Sequence, residues 1–183
     1  MRAVLLFLLE TAGFLMVGAA LLRAWMNQAK VNMSAQPGRF VMALTHWLVA
    51  PLRKLLPRAL VQSRVDWGSL TAAVVLGLAY AVLWVLLQAA LLPAAVSSSI
   101  LLAIPELAVR LLVRVMLQGL MVMLLVYAVL SWVQPGSPAM GMLDRLCSPV
   151  LKPVRRLLPP IGGVDLSVLV LIVLLQVGLI LLG

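Results

Sequence analysis

One histidine, one cysteine and five acidic side chains are a thin supply of the commonest metal-ligating and acid–base groups for 183 residues. His46 and Cys147 stand a hundred positions apart, a poor start for a metal site that needs three or four ligands at short spacings. So few carboxylates leave little for a catalytic acid–base pair. The chain has no Gly-x-Ser-x-Gly, no His-Glu-x-x-His and no phosphate-cradling glycine loop. Aromatic residues are 5% of the total and charged residues 10%, where soluble domains carry about 25% charged. No catalytic, cofactor-binding or metal-binding residue is expected, and the chain reads as a non-enzyme.

What fills the sequence instead is hydrocarbon. Apolar residues make up 64%, against roughly 45–50% in soluble domains. A bilayer core about 30 Å thick takes about 20 apolar residues of helix. Four stretches are read as spans on that measure: about Ala3–Ala24, Ser69–Leu92, Leu107–Val133 and Leu166–Leu182. In lipid such runs must be helical, because a free strand edge finds no hydrogen-bond partner. The expected fold is an all-α membrane protein with four transmembrane helices. Arg2 and the apolar run after it could open a signal peptide. The run continues to Trp25 without a small-x-small cleavage site, so the span is expected to be retained.

The spans form two tandem units. Pro51-Leu-Arg-Lys-Leu-Leu-Pro57 recurs as Pro153-Val-Arg-Arg-Leu-Leu-Pro159. Each copy follows a span ending in tryptophan (Trp25, Trp132) and precedes a Val-Asp pair, with Asp66 and Asp165, that opens another span. A repeat fixes architecture before any single residue is interpreted. Residues 1–92 form the first unit around the basic loop 26–68, residues 93–105 a short connector, and residues 106–183 the second unit around the loop 134–164. Both units run in the same direction, giving a parallel repeat unlike the inverted repeats of many transporters.

Charge sets the orientation. Lys30, Arg39, Arg53, Lys54, Arg58 and Arg64 lie in the first loop, and Arg145, Lys152, Arg155 and Arg156 in the second, while the 93–105 connector has none. Positive residues in short loops stay cytoplasmic. Loops 26–68 and 134–164 are therefore placed in the cytoplasm, with both termini and the connector on the periplasmic side of a bacterial inner membrane. Trp25, Trp67 and Trp132 fall where an interfacial aromatic belt should lie.

The loops carry their own pattern. Phe40, Leu44, Trp47, Leu48 and Leu55 recur at helical spacing, with Arg39, Thr45, His46, Arg53 and Lys54 on other faces. Leu143, Leu146 and Val150 repeat the pattern against Asp144, Arg145 and Ser148. Such segments lie flat on anionic headgroups, and the prolines are expected to cut them into short pieces. Arg53, Lys54, Arg58, Lys152, Arg155, Arg156 and Trp47 are the candidate contacts to lipid headgroups or a partner. Asp66 and Asp165 are expected beside the basic turns, capping the second and fourth spans. Anionic lipid, other membrane proteins or further copies of the chain are the expected partners. The net charge of +9 comes without stacking platforms or a groove-entering helix, so direct nucleic-acid binding is not expected.

Leu130-Ser-Trp-Val-Gln-Pro-Gly-Ser-Pro138, Pro149-Val-Leu-Lys-Pro-Val-Arg-Arg-Leu-Leu-Pro159 and Gly163-Val-Asp-Leu-Ser167 resemble the signature of the YggT family, also called YlmG, of small bacterial and plastid membrane proteins. The resemblance covers the whole chain, since Trp25, Pro51–Pro57 and Asp66-Trp-Gly-Ser69 repeat it in weaker form. It marks Pro51, Pro57, Asp66, Pro153, Pro159, Asp165 and Ser167 as motif positions. It implies roles in membrane organisation, osmotic tolerance with ion uptake, cell division or assembly of a membrane complex, and it defines no catalytic residue.

Charges inside the spans need an account, since each costs roughly 2.5–3.5 kcal/mol at mid-helix. Glu10 lies two turns into the first span. Glu106, Arg110, Arg114 and Gln118 form one stripe along the third. Counted from Trp25 and Trp132, Glu10 and Arg114 differ in height by about 4.5 Å, so Glu10 is expected to face Arg114 or Gln118. The stripe could alternatively line an ion path. Ala73, Gly77 and Ala81 offer a close-packing face on the second span.

Overall fold

The computed structural model describes residues 2–31, 38–57, 65–91, 100–157 and 165–183. Of the residues singled out above, Arg58, Arg64, Pro159, Gly163 and residues 93–99 of the connector lie outside them. The described residues are all-helical: α1 (Arg2–Gln28), α2 (Gly38–Leu55), α3 (Trp67–Leu91), α4 (Ile100–Val133), α5 (Pro138–Leu157) and α6 (Leu166–Leu181). Three helices are long and apolar enough to cross a membrane: α1, α3 and α4. The fourth expected span, α6, has 16 residues, or about 24 Å of rise, below the ~30 Å core.

Three helix termini have a local cause. After α1, Lys30 takes a left-handed φ of 53°. Val31 N–H then reaches the Met26 carbonyl at 3.0 Å and Lys30 N–H reaches Asn27 at 3.1 Å. That is the Schellman arrangement, here with lysine where glycine is usual. At α5 the Ser137 hydroxyl accepts from Met140 N–H at 3.1 Å, with Pro138 at the first helical position where its missing N–H costs nothing. Asp165 caps α6 by accepting from Ser167 N–H.

Two expectations change. Pro51 lies inside α2, and Pro149 and Pro153 inside α5, so both surface segments are continuous helices rather than short pieces. All three prolines are on exposed faces. The carbonyls they leave unbonded belong to Trp47, Arg145 and Pro149, which are exposed too, so the lost bonds open outward and not into packing. The connector is also shorter than expected, because α4 begins at Ile100 and runs through Pro105. A proline this near a helix start costs little beyond one hydrogen bond.

Contacts divide the chain into two compact units, residues 1–115 and 116–183. In the first, α2 packs across α1 and α3, with Val49 fully buried against Ala20, Ala72 and Ala73. Small residues matter here because helices in lipid gain by close van der Waals approach, not by escaping water. Ala73, Gly77 and Ala81 are buried. A β-carbon on Gly77 would stand 3.4 Å from Leu112 and 3.5 Å from the Ala108 carbonyl, so at this position the stripe lies against α4 of the same chain, while Ala73 packs with Val49 and Ala20. Val17, Leu111 and Val115 form a further cluster. In the second unit Leu124, Tyr127, Leu143, Cys147, Leu151, Val168, Leu171 and Leu175 make the core. Cys147 is fully buried within it. Burial and the neighbouring Asp144 push its thiol up to about 11, only partly offset by Arg155.

Candidate functional site

The duplicated basic turn and the aspartate that follows it meet in space, once in each unit. Arg53 on the last turn of α2 donates through one Nη to both carboxylate oxygens of Asp66, each at 2.8 Å. Asp66 precedes α3 and accepts from Ser69 N–H at 3.2 Å and from the Ser69 hydroxyl at 2.7 Å. One carboxylate thus holds an arginine and the first turn of a helix. Its side chain is 3% exposed and that of Arg53 41%. Burial alone would push the Asp66 carboxyl up, but the hydrogen bonds from Arg53 and Ser69 outweigh it and hold the group below the usual carboxylate range. Arg23 on α1, itself buried, donates to the Thr45 hydroxyl at 2.9 Å, and Thr45 donates to the Val41 carbonyl at 2.7 Å. These bonds tie α1 to α2 as the clasp ties α2 to α3.

The second clasp uses the same pair with different support. Arg155 Nε donates to Asp165 Oδ2 at 2.7 Å, and its Nη2 donates to the Tyr127 hydroxyl at 2.8 Å. Tyr127 in turn donates to Asp144 at 3.3 Å. Burial would pull the Arg155 guanidinium down, but its bonds to Tyr127 and Asp165 prevail and raise it. The Arg155 and Asp165 side chains are 34% and 30% exposed, so this clasp is more open at its carboxylate than the first.

In both turns, therefore, the first basic residue is engaged by a carboxylate and the second is exposed. Arg53 and Arg155 are the clasping residues, and Lys54 and Arg156 are on the outer surface with Lys152. Pro51, Pro57 and Pro153 are exposed around them, and Ser167 is fully buried beneath the second clasp. Trp47 is 63% exposed, its indole N–H satisfied by the Leu44 carbonyl at 2.9 Å. The apolar stripe read from α2 divides. Leu44 and Leu48 are partly buried, while Phe40, Trp47 and Leu55 are exposed.

Along the spans, Arg114 meets Glu10 at 3.5 Å, with side chains 38% and 57% exposed. Arg110 pairs within its helix to Glu106 at 2.7 Å. Gln118 is half-buried on α4, in the second unit. A β-carbon on Gly13 would come within 2.7 Å of the Tyr80 ring, so glycine lets that ring lie against α1 beside the pair.

Several residues of these arrangements are not marked by the sequence motif. Arg23, Thr45, Tyr127 and Asp144 stand outside the repeated motif, and Gly68 lies where Asp66-Trp-Gly-Ser69 departs from Asp165-Leu-Ser167. A β-carbon at Gly68 would stand 2.5 Å from Arg53 Cγ, so the departure is a packing requirement. Among the described residues no three His, Cys, Asp or Glu side chains gather as a metal set would.

The profile of the CCB3/YggT family matches residues 2–87 and 107–183. The chain is 33% identical over 176 residues to the uncharacterised protein YggT of Escherichia coli K12, covering 94% of this chain and 86% of that protein. It is 34% identical over 180 residues to an uncharacterised protein of the proC 3′ region of Vibrio alginolyticus, covering 97% and 92%. A Haemophilus influenzae protein, also uncharacterised, is 28% identical over 156 residues, covering 85% and 78%. No solved structure matches.

Proposed function

This chain belongs to the CCB3/YggT family, and from that premise we propose that it is a non-enzymatic scaffold or assembly factor of the bacterial inner membrane. It crosses the membrane four times, as two parallel repeats with both basic helices, α2 and α5, on the cytoplasmic side. One observation carries this reading. Arg53 with Asp66 and Arg155 with Asp165 spend their charge on fastening a surface helix to the start of the next helix, which makes each cytoplasmic surface a rigid ledge. The profile match in two separate stretches supports the repeat. Ledges of this kind suit the gathering of other membrane proteins, with a consequence for osmotic tolerance through the complexes they organise.

The test is cross-linking in living cells. A photoreactive residue at Lys152 or Arg156 should capture a discrete membrane-protein partner, identified by mass spectrometry, and the capture should weaken when Asp165 is replaced by Ala. Capture that is diffuse and indifferent to Asp165 would sink the scaffold reading.

A second reading rests on Glu10 and Arg114, an ion pair inside the spans that stays part-exposed. Intramembrane charges mark ion paths, and the pair would then serve a small transporter or channel subunit. Ion flux through proteoliposomes of the purified protein, lost in Glu10→Gln, would put this reading first.

A further inference from the structure

Helix α2 has three faces, not two. At about 100° per residue, Val41, Thr45 and Val49 share one face, which is buried against α1 and α3. Turning one way from it brings Met42, Arg53, His46, Arg39 and Ala50, of which Arg53, His46 and Arg39 are exposed. Turning the other way brings Leu48, Leu55, Leu44, Pro51, Phe40 and Trp47. Of these, Phe40, Trp47 and Leu55 are 60%, 63% and 81% exposed. Lys54 and Ala43 lie between the two flanks, opposite the packed face. A helix with one polar and one apolar side flanking its packed face has a defined attitude at an interface.

The contacts fix which flank points inward along the spans. On the basic flank, Arg53 reaches Asp66 at the very start of α3. On the apolar flank, Leu44, Trp47 and Leu48 border a shallow crevice with Met16 and Leu76. Met16 and Leu76 each lie nine residues from the tryptophan at their span's end (Trp25, Trp67), roughly 13 Å along the helix axis. The apolar flank therefore faces the hydrocarbon side and the basic flank faces the water side. Trp47 has its only polar atom satisfied internally, leaving the rest of the ring to an apolar neighbour.

We propose that α2 is a seat for anionic phospholipids, with acyl chains against Phe40, Leu44 and Trp47 and the phosphates of separate lipids held by Arg39 near one end of the helix and by Lys54 about 22 Å along it. Charge complementarity selects the occupant: a cationic rim over an exposed aromatic strip matches an acidic headgroup over its chains. Arg53 is excluded from this role because Asp66 holds it. Helix α5 lacks the strip. Its exposed positions are Pro138, Ala139, Gly141, Asp144, Arg145, Pro149, Lys152, Pro153 and Arg156, and no large apolar side chain is exposed among its described residues. The lipid seat thus belongs to α2. The inference rests on α1 and α3 spanning the membrane, and not on the scaffold role.

The full-length protein is reconstituted into bilayers of phosphatidylcholine with or without phosphatidylglycerol, and two quantities are read. The first is quenching of tryptophan emission by lipids brominated high on the acyl chain. The difference between the wild type and Trp47→Phe isolates Trp47, and that component should be quenched. The second is the preference for spin-labelled phosphatidylglycerol over phosphatidylcholine. It should fall about fivefold for each charge removed in Arg39→Gln and Lys54→Gln, with helical content and elution unchanged because neither residue takes part in the clasp. A Trp47 component untouched by bromine, as when a protein partner covers it, overturns the proposal. So does a lipid preference unchanged in the double variant. Neither readout involves a protein partner, so a failure of the scaffold reading would leave both intact.

Discussion

Arg53 lies across the first turn of α3 at Gly68: a β-carbon there would stand 2.5 Å from its Cγ and 2.9 Å from its Nε. The side chain reaches Asp66 only because position 68 has no side chain of its own. Gly68→Ala should therefore push the guanidinium off the carboxylate. Losing that charge-assisted bond, with Asp66 left buried, is expected to cost about 1–3 kcal/mol, read as a lower midpoint of thermal unfolding in detergent. A double-mutant cycle checks the cause. If Gly68→Ala acts through the clasp, adding Asp66→Asn should cost less in that background than alone. Full additivity would detach the glycine from the clasp.

The acid limb of stability should report Asp66. Its carboxyl is held below the usual range in the folded protein, while the unfolded value is about 4. A depressed folded value means the clasp's contribution is complete above the unfolded value and is lost as pH falls through the folded one. The wild type should lose stability below about pH 4 more steeply than Asp66→Asn, whose side chain does not titrate. Parallel acid limbs would mean that other carboxylates govern the loss.

The second clasp makes a different prediction, because its carboxylate also caps a short helix. Asp165 accepts from Ser167 N–H at 3.1 Å while holding Arg155 at 2.7 Å. Asp165→Ala removes both and should destabilise by about 1–2 kcal/mol. Tyr127→Phe removes only the hydroxyl between Arg155 and Asp144 and should cost about 1 kcal/mol. Denaturation in mild detergent, followed by circular dichroism, ranks the two. A larger loss for Tyr127→Phe would reverse the order of importance argued from the geometry.

The clasps show where the sequence speaks and where it does not. A Pro-bracketed basic turn precedes an aspartate in each unit, with thirteen residues from Arg53 to Asp66 and ten from Arg155 to Asp165, so the repeat announces that turn and aspartate belong together. It does not say which of two adjacent basic residues turns inward, because Arg53 and Lys54 differ only by 100° of helix rotation, and only packing fixes that rotation. Arg23, Thr45 and Tyr127 escaped notice for a related reason. Each looks like an ordinary helical side chain, and its role exists only once another helix is laid against it. Proline's cost to a helix depends on the face it falls on, which residue identity alone does not give. On an exposed face the unpaired carbonyl is not buried, and the helix continues. Hydrophobic length identified α1, α3 and α4 directly, since lipid-facing helices need apolar residues all round. It was least decisive for α6, whose 16 residues fall short of the usual span.

Membrane sidedness can be read with thiol labelling. Cys147 is buried with its thiol pushed up to about 11, so it stays protonated and is a small background, removed by Cys147→Ala. Single cysteines at the exposed positions Arg39 and Arg156 should then be protected from impermeant reagents in intact cells. One at Glu106, whose side chain is 60% exposed, should be labelled. Labelling at Arg39 with protection at Glu106 would invert the orientation derived from loop charge.

Glu10 and Arg114 offer the test that separates a structural pair from a working one. They meet at 3.5 Å with both side chains more than a third exposed, so in detergent the pair is screened and its worth is about 1 kcal/mol or less. Glu10→Gln should lower the unfolding midpoint by a corresponding few degrees, because it leaves a cation in a span without its acid. Adding Arg114→Gln removes that cation as well and should recover part of the loss, a sign reversal that independent sites cannot give. In lipid bilayers both effects should grow, since hydrocarbon solvates a guanidinium deprived of its carboxylate more poorly than water does. If Glu10→Gln instead leaves stability unchanged in both media while abolishing ion flux in proteoliposomes, the pair does not hold the helices together. The transporter reading would then displace the scaffold.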